Sequence, residues 1–117
     1  MDQFTTAFYE ALFWSSCDAD GEPLQDHFDI NSLSNCTKAK LDQDCQDFQD
    51  KNATLMAGLD SAQCGHDFAL TRNHHGAGFW DRGLGAVGDE LTKAAKAYGE
   101  ADLYEGDDGH LYLLYLY

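Results

Sequence analysis

Leu41, Cys45, Phe48, Asn52, Leu55 and Leu59 recur at alternating spacings of four and three residues. An α-helix turns once every 3.6 residues, so this spacing places all six on one face, and the face must be covered by something else. The pattern predicts a helix from about Ser32 to about Gly58 packed against a core. Asp42, Asp44, Asp47 and Asp50 fall outside the stripe, which predicts a helix that is negative over much of its exposed surface. Two further stripes extend the scheme. Phe4, Phe8, Ala11 and Leu12 predict a helix over residues 3–15, broken afterwards by Gly21 and Pro23. Val87, Leu91, Ala94, Ala95 and Tyr98 predict another, with Asp89 and Glu90 in its first turn, Lys93 and Lys96 later, and Gly99 as its C-terminal cap.

Strand signals occupy the remaining segments. After a short helical turn at 60–65, Phe68-Ala-Leu-Thr-Arg72 reads as a strand, turning at Asn73–Gly76 and returning through Ala77 to Trp80. Residues 101–105, the turn Gly106-Asp-Asp-Gly109 and residues 110–117 read as a second hairpin. The expected class is α+β, with about three helices packed on a small antiparallel sheet of two hairpins. Residues 1–117 are read as a single domain. The apolar ending Leu111-Tyr-Leu-Leu-Tyr-Leu-Tyr117 also offers an edge strand through which copies of the chain could pair as a homo-oligomer.

Charge restricts the partners. The chain carries 21 acidic and 7 basic residues, a formal net charge of −14, and the acid excess extends over both halves. Nucleic-acid affinity depends on Lys and Arg displacing counterions from phosphate, so direct nucleic-acid binding is disfavoured. The same field would attract a basic protein surface, and it can imitate the charge of DNA. No run of 18 apolar residues is present, so no membrane partner is expected. The opening Met1-Asp2-Gln3 lacks a basic segment and Glu10 interrupts the apolar run, so no secretory signal is expected. On that reading Cys17, Cys36, Cys45 and Cys64 are reduced thiols, and the Asn35-Cys-Thr37 and Asn52-Ala-Thr54 glycosylation patterns are accidental.

The densest polar chemistry lies in residues 67–83. Asp67, Arg72, Asn73, His74, His75, Phe79, Trp80, Asp81 and Arg82 form the candidate binding surface here, with Asp42, Asp47 and Asp50 as its acidic counterpart on the long helix. Arg72 and Arg82 are expected to find carboxylate partners, with Asp67, Asp81 and the Asp107-Asp108 turn as candidates, and to brace the hairpin bidentately. An enzymatic alternative uses His75 as a general base oriented by Asp81, with Arg72 stabilising an anion. No nucleophile elbow, phosphate-binding loop or paired-carboxylate signature accompanies it, and no catalytic residue is assigned.

The residues offer two metal readings. Cys64, His66, Asp67, His74, His75 and Asp81 are ligand types that zinc accepts, but no Cys-x-x-Cys or His-x-x-x-His spacing organises them. Ser16, Asp18, Asp20 and Gly21 match the first half of a calcium loop, but His27 stands where a bidentate Glu belongs and Pro23 interrupts the loop. No metal and no cofactor are expected.

The block His66-Asp-Phe-Ala-Leu-Thr-Arg-Asn-His-His-Gly-Ala-Gly-Phe-Trp-Asp-Arg-Gly83 resembles the signature segment of small tailed-bacteriophage proteins that have no settled activity. Gly88-Asp-Glu-Leu-Thr92, Ala97-Tyr-Gly99, Leu103-Tyr104, Gly106-Asp-Asp-Gly109, Ala11-Leu-Phe-Trp-Ser-Ser16 and Gly21-Glu-Pro23 are similar too, so the resemblance covers most of the chain. It departs at His74, where glycine is expected, at Ala69, where a large aromatic is expected, and in its longer tyrosine-rich ending. The resemblance implies a viral protein working in the host cytoplasm. Together with the charge, it leads to the expectation of an acidic phage-type protein that engages or inhibits a host DNA-binding or defence protein by charge mimicry. A small enzyme or metal protein using residues 67–82, and an accessory or structural phage protein, are the alternatives.

Overall fold

A computed structural model describes residues 1–114. Its elements are helix α1 (Gln3–Ser15), α2 (Asn35–Lys51), the short α3 (Ala53–Met56), α4 (Ser61–Arg72) and α5 (Ala86–Lys96), followed by strands β1 (Leu103–Glu105) and β2 (Leu111–Leu113). The strands pair antiparallel with Tyr104 opposite Tyr112 and form one two-stranded sheet. The class is α+β as expected. The count of about three helices is too low, and among the described residues there is one hairpin where two were expected. Tyr115, Leu116 and Tyr117, which carry part of the proposed pairing edge, lie outside the described residues.

The missing hairpin is the main correction. Phe68–Arg72 continues α4, and the expected return strand is a 3₁₀ turn at Phe79–Asp81. Asp60 caps α4 by accepting the Gln63 N–H at 2.8 Å. The helix is buried nearly all round from Cys64 to Arg72, so it shows no polar face and its short apolar run resembles a strand. Gly65 permits this burial. A Cβ there would overlap the Phe4 carbonyl oxygen, so α1 and α4 meet with backbone against backbone.

The long helix also ends earlier than its stripe suggests. Asn52 turns its side chain back to the Phe48 carbonyl at 2.9 Å and closes α2. Leu55 and Leu59, beyond that break, still pack against the core. At the centre, Phe48 and Phe68 stack with centroids 4.3 Å apart, and Phe4, Phe8 and Phe79 surround them. Burying each such ring contributes roughly 1.5–3 kcal/mol. α5 runs from Ala86 as the stripe implied, and Gly99, at φ +77°, takes the left-handed turn after it.

Candidate functional site

Of the acidic and basic side chains of the 67–82 block, Asp67 and Arg72 are buried, whereas Asp81 and Arg82 lie at the surface and bond back to the chain. Asp67, almost wholly buried on α4, receives a fork from Arg82: Nη2 donates to Oδ1 at 2.9 Å and Nε lies 3.2 Å from both oxygens. Gln63 adds a bond to the same carboxylate at 3.0 Å. Arg82 thus ties the loop after the 3₁₀ turn to the middle of α4. Asp81 accepts the Gly78 N–H at 3.1 Å and lies 3.8 Å from Arg82. Thr71 accepts the Phe79 N–H, and a Cβ on Gly78 would overlap that threonine hydroxyl.

Arg72 has a partner that the sequence reading missed. Its Nη2 lies 3.1 Å from Asp44 Oδ2 on α2, and both side chains are buried. Its Nε donates to the Gly99 carbonyl at 2.9 Å, holding the end of α5. The guanidinium also sits over Phe68, Tyr98 and Phe8 at 5.2–5.9 Å from the ring centroids. Burial lowers the Arg72 pKa from its ordinary value, and the neighbouring Asp44 opposes that shift. Asp44 was placed outside the apolar stripe, and the structure corrects this. Three residues after Leu41 and four before Phe48, it lies on the buried face, where Lys40 at 2.6 Å is its second cation.

The end of α4 explains His74. The His75 N–H bonds to the Leu70 carbonyl and the His74 N–H to that of Thr71, a Schellman closure with His74 in the left-handed region at φ +54°. Glycine usually fills this place, which is the physical sense of the departure noted in the sequence. Asn73 links the same corner to Ala101, accepting its N–H at 2.7 Å.

Phe79 belongs to the core, and Trp80 is exposed. His75 is also exposed, and its ring lies against Trp14 at 5.5 Å. Trp14 in turn stacks on His66 at 6.0 Å. The structure therefore gathers His66, His75 and Trp14 at one place, while Asp81 holds the Gly78 turn and Arg72 is committed to the interior. It does not assemble the His75–Asp81–Arg72 arrangement considered for catalysis. The zinc-type residues are likewise put to other uses. Asp67 is held by Arg82, and burial pushes the Cys64 thiol up to about 11, with Asp67 and Asp60 adding to the shift. Among the described residues, the group that brings ligand atoms within 4.8 Å of one another is Asp18, Glu22 and His27. Glu22 bonds His27 at 2.6 Å, and Asp18 Oδ1 accepts the Asp20 and Glu22 N–H groups of its own turn.

The acids proposed on the long helix divide. Asp42 accepts the Tyr9 hydroxyl at 2.7 Å and pairs with Lys38 at 2.6 Å. Asp47 accepts the Tyr98 hydroxyl and pairs with Lys51 at 3.1 Å. Among the described residues, Asp50 has only a Gln46 amide, at 2.9 Å. The four cysteines are free, Cys17 and Cys36 at the surface and Cys45 and Cys64 within. No helix among the described residues is long and apolar enough to cross a membrane. Comparison with family models, with curated proteins and with solved structures finds no match for this chain.

Proposed function

We propose that this chain is a small acidic binding domain whose partner presents a basic protein surface. One observation carries the reading. Six of the seven Lys and Arg residues pair with the chain's own carboxylates: Lys38, Lys40, Lys51, Arg72, Arg82 and Lys93. They engage six of the 21 acids (Asp81 counted with Asp67 through Arg82), which leaves fifteen with no Lys or Arg nitrogen within 4 Å among the described residues. Five of the fifteen lie in the loop after α1 (Asp18, Asp20, Glu22, Asp26, Asp29) and five between Glu100 and Asp108. The field that a partner meets is therefore nearly all negative, and it is strongest on these loops and weaker over α2, where Asp42 and Asp47 carry their own lysines.

The sequence resemblance supports a phage protein acting on a host DNA-binding or defence protein by charge mimicry. Such a partner already carries a basic surface shaped for phosphate. The test is capture of binding proteins from a bacterial lysate, followed by affinity measurement on the purified partner across a salt series. Affinity should fall steeply with salt, since exposed charges are screened over ~8 Å at physiological ionic strength. Converting Asp18, Asp20, Asp107 and Asp108 to Lys should slow association, and Asp42→Lys with Asp47→Lys should slow it less. Salt-insensitive binding, indifferent to the loop reversals, would overturn charge as the basis of recognition.

A further inference from the structure

α1 covers the core with one side, and part of its other side remains uncovered. There it borders a groove of about 770 Å³ that runs from Met1 to Trp14, with Phe28, Asp29 and Ile30 of the following loop and His66 of α4 also lining it. The groove is mostly apolar. Trp14, 49% exposed, stands open to solvent beside it, whereas aromatic surface elsewhere in α1 is buried. Glu10 and Asp29 are the acids of its lining, and among the described residues neither has a Lys or Arg partner. Among the described residues, no Lys or Arg lines it.

We infer that this groove is where the partner docks, and that its occupant is a basic amphipathic helical segment of the partner protein. The inference rests on the reading of the chain as an acidic binding domain and adds the place and the chemistry of contact. An apolar floor rimmed by unneutralised carboxylates matches a helix with one apolar stripe flanked by Lys or Arg. The apolar stripe lies on Trp14, Phe28 and Ile30, and the cations reach Glu10 and Asp29. α1 is ~20 Å long at 1.5 Å per residue, so it accommodates about fourteen residues of such a helix alongside it. An acidic or neutral segment would gain the apolar contact without the charge. A flat basic surface would meet the charge without filling the groove.

The test uses the full chain carrying Trp80→Phe, which leaves Trp14 as the one tryptophan. The probes are helical peptides of about fourteen residues made of Leu with Lys, Leu with Gln, or Leu with Glu in one amphipathic pattern. Binding is read by Trp14 emission and by calorimetry. The Leu/Lys peptide should bind and shift Trp14, the Leu/Gln peptide should bind at least about tenfold more weakly, and the Leu/Glu peptide should not bind. Glu10→Lys with Asp29→Lys should weaken the Leu/Lys peptide about tenfold or more, while Asp89→Lys with Glu90→Lys, an equal charge change at exposed positions on α5, should alter it less than about twofold. Circular dichroism of both double variants verifies that each is folded. Equal weakening by the two pairs would overturn the groove and leave the acidic-domain reading standing, because diffuse charge would then explain binding. Equal affinity for the Leu/Gln and Leu/Lys peptides would overturn the basic occupant. A natural partner bound in a salt-sensitive way but unaffected by Glu10→Lys with Asp29→Lys would overturn the groove alone, and a salt-insensitive one would overturn the acidic reading as well.

Discussion

Replacing Arg72 with Ala should be among the most damaging single substitutions in this chain, and the reason is confined to the fold. The side chain is 3% exposed and holds three things together: Asp44 on α2, the Gly99 carbonyl after α5, and the rings of Phe8, Phe68 and Tyr98. Its removal leaves the buried Asp44 carboxylate with Lys40 as its remaining cation, opens a void and frees a carbonyl at the end of α5. Breaking a buried ion pair from one side costs about 3–5 kcal/mol. A domain of this size has roughly 5–15 kcal/mol in all. At a few degrees per kcal/mol, the melting temperature should fall by roughly 10–20 °C. Arg72→Met restores much of the volume but still strands Asp44. Arg72→Met combined with Asp44→Leu should recover most of the loss, because well-packed apolar residues can replace a buried pair at little cost. Chemical denaturation of the two single variants and the double variant gives the coupling directly. A loss below about 1 kcal/mol for Arg72→Ala, or a double variant no better than the worse single one, would refute this account of the buried pair.

Gly65→Ala should destabilise the protein by at least about 1–3 kcal/mol, measured by denaturant unfolding, since its methyl group would overlap the Phe4 backbone. Alkylation of the native protein at pH 8 should label Cys17 and Cys36 and spare Cys45 and Cys64, whose thiols burial pushes up to about 12 and about 11; peptide mapping counts them. His74→Gly should be neutral or stabilise by roughly 0.5 kcal/mol, because relief of the left-handed strain exceeds the added chain entropy, and His74→Val should cost about 1 kcal/mol or more in the same unfolding assay. Stability followed by thermal melts should peak on the acid side of neutrality. A hydrogen bond to Asp102 raises Glu100 above 4.5, so its protonation as pH falls relieves repulsion in the folded state. The Glu22 bond raises His27 above 6.5, so its contribution is complete below that pH and is lost as pH rises through the folded value. Asp47, bonded by Tyr98 and Lys51, and Asp108, bonded by Tyr112 and His110, lie below 3.8, so their contribution is present above that pH and is lost as pH falls through the folded values.

Periodicity made the helices legible wherever one face meets solvent. α1 and α5 could be read from their stripes because polar residues separate the apolar ones. α4 could not, because both of its faces are covered and Phe68-Ala-Leu-Thr has no polar face to set a period. Gly65, which allows that covering, is a single residue whose meaning depends on Phe4, sixty-one residues away. Charges were legible as candidates for pairing, and the Arg82–Asp67 fork lies within the set considered. The Arg72–Asp44 pair leaves no such signal, because an aspartate set among Asp42, Asp47 and Asp50 reads as solvent-facing, although Asp44 shares a helical face with Leu41 and Phe48. The groove left no local signal: Trp14 and His66 are fifty-two residues apart and meet only because α1 and α4 cross.

The structure thus separates two kinds of polar residue that the sequence presents together. In the 67–82 block, Asp67, Arg72, Asn73, Asp81 and Arg82 spend their hydrogen bonds on other parts of the same chain, and their loss should lower function only in step with stability. In the loops 18–29 and 100–108, most carboxylates have no cation of their own, and their loss should alter binding with little change in melting. A substitution screen scored on function alone would rank the first group highest and suggest a catalytic centre there. Scoring each variant for melting as well as binding removes that ambiguity. If Arg82→Ala abolished binding while the melting temperature held, the brace to Asp67 would have to be replaced by a site, and the division drawn between the two groups would fall with it.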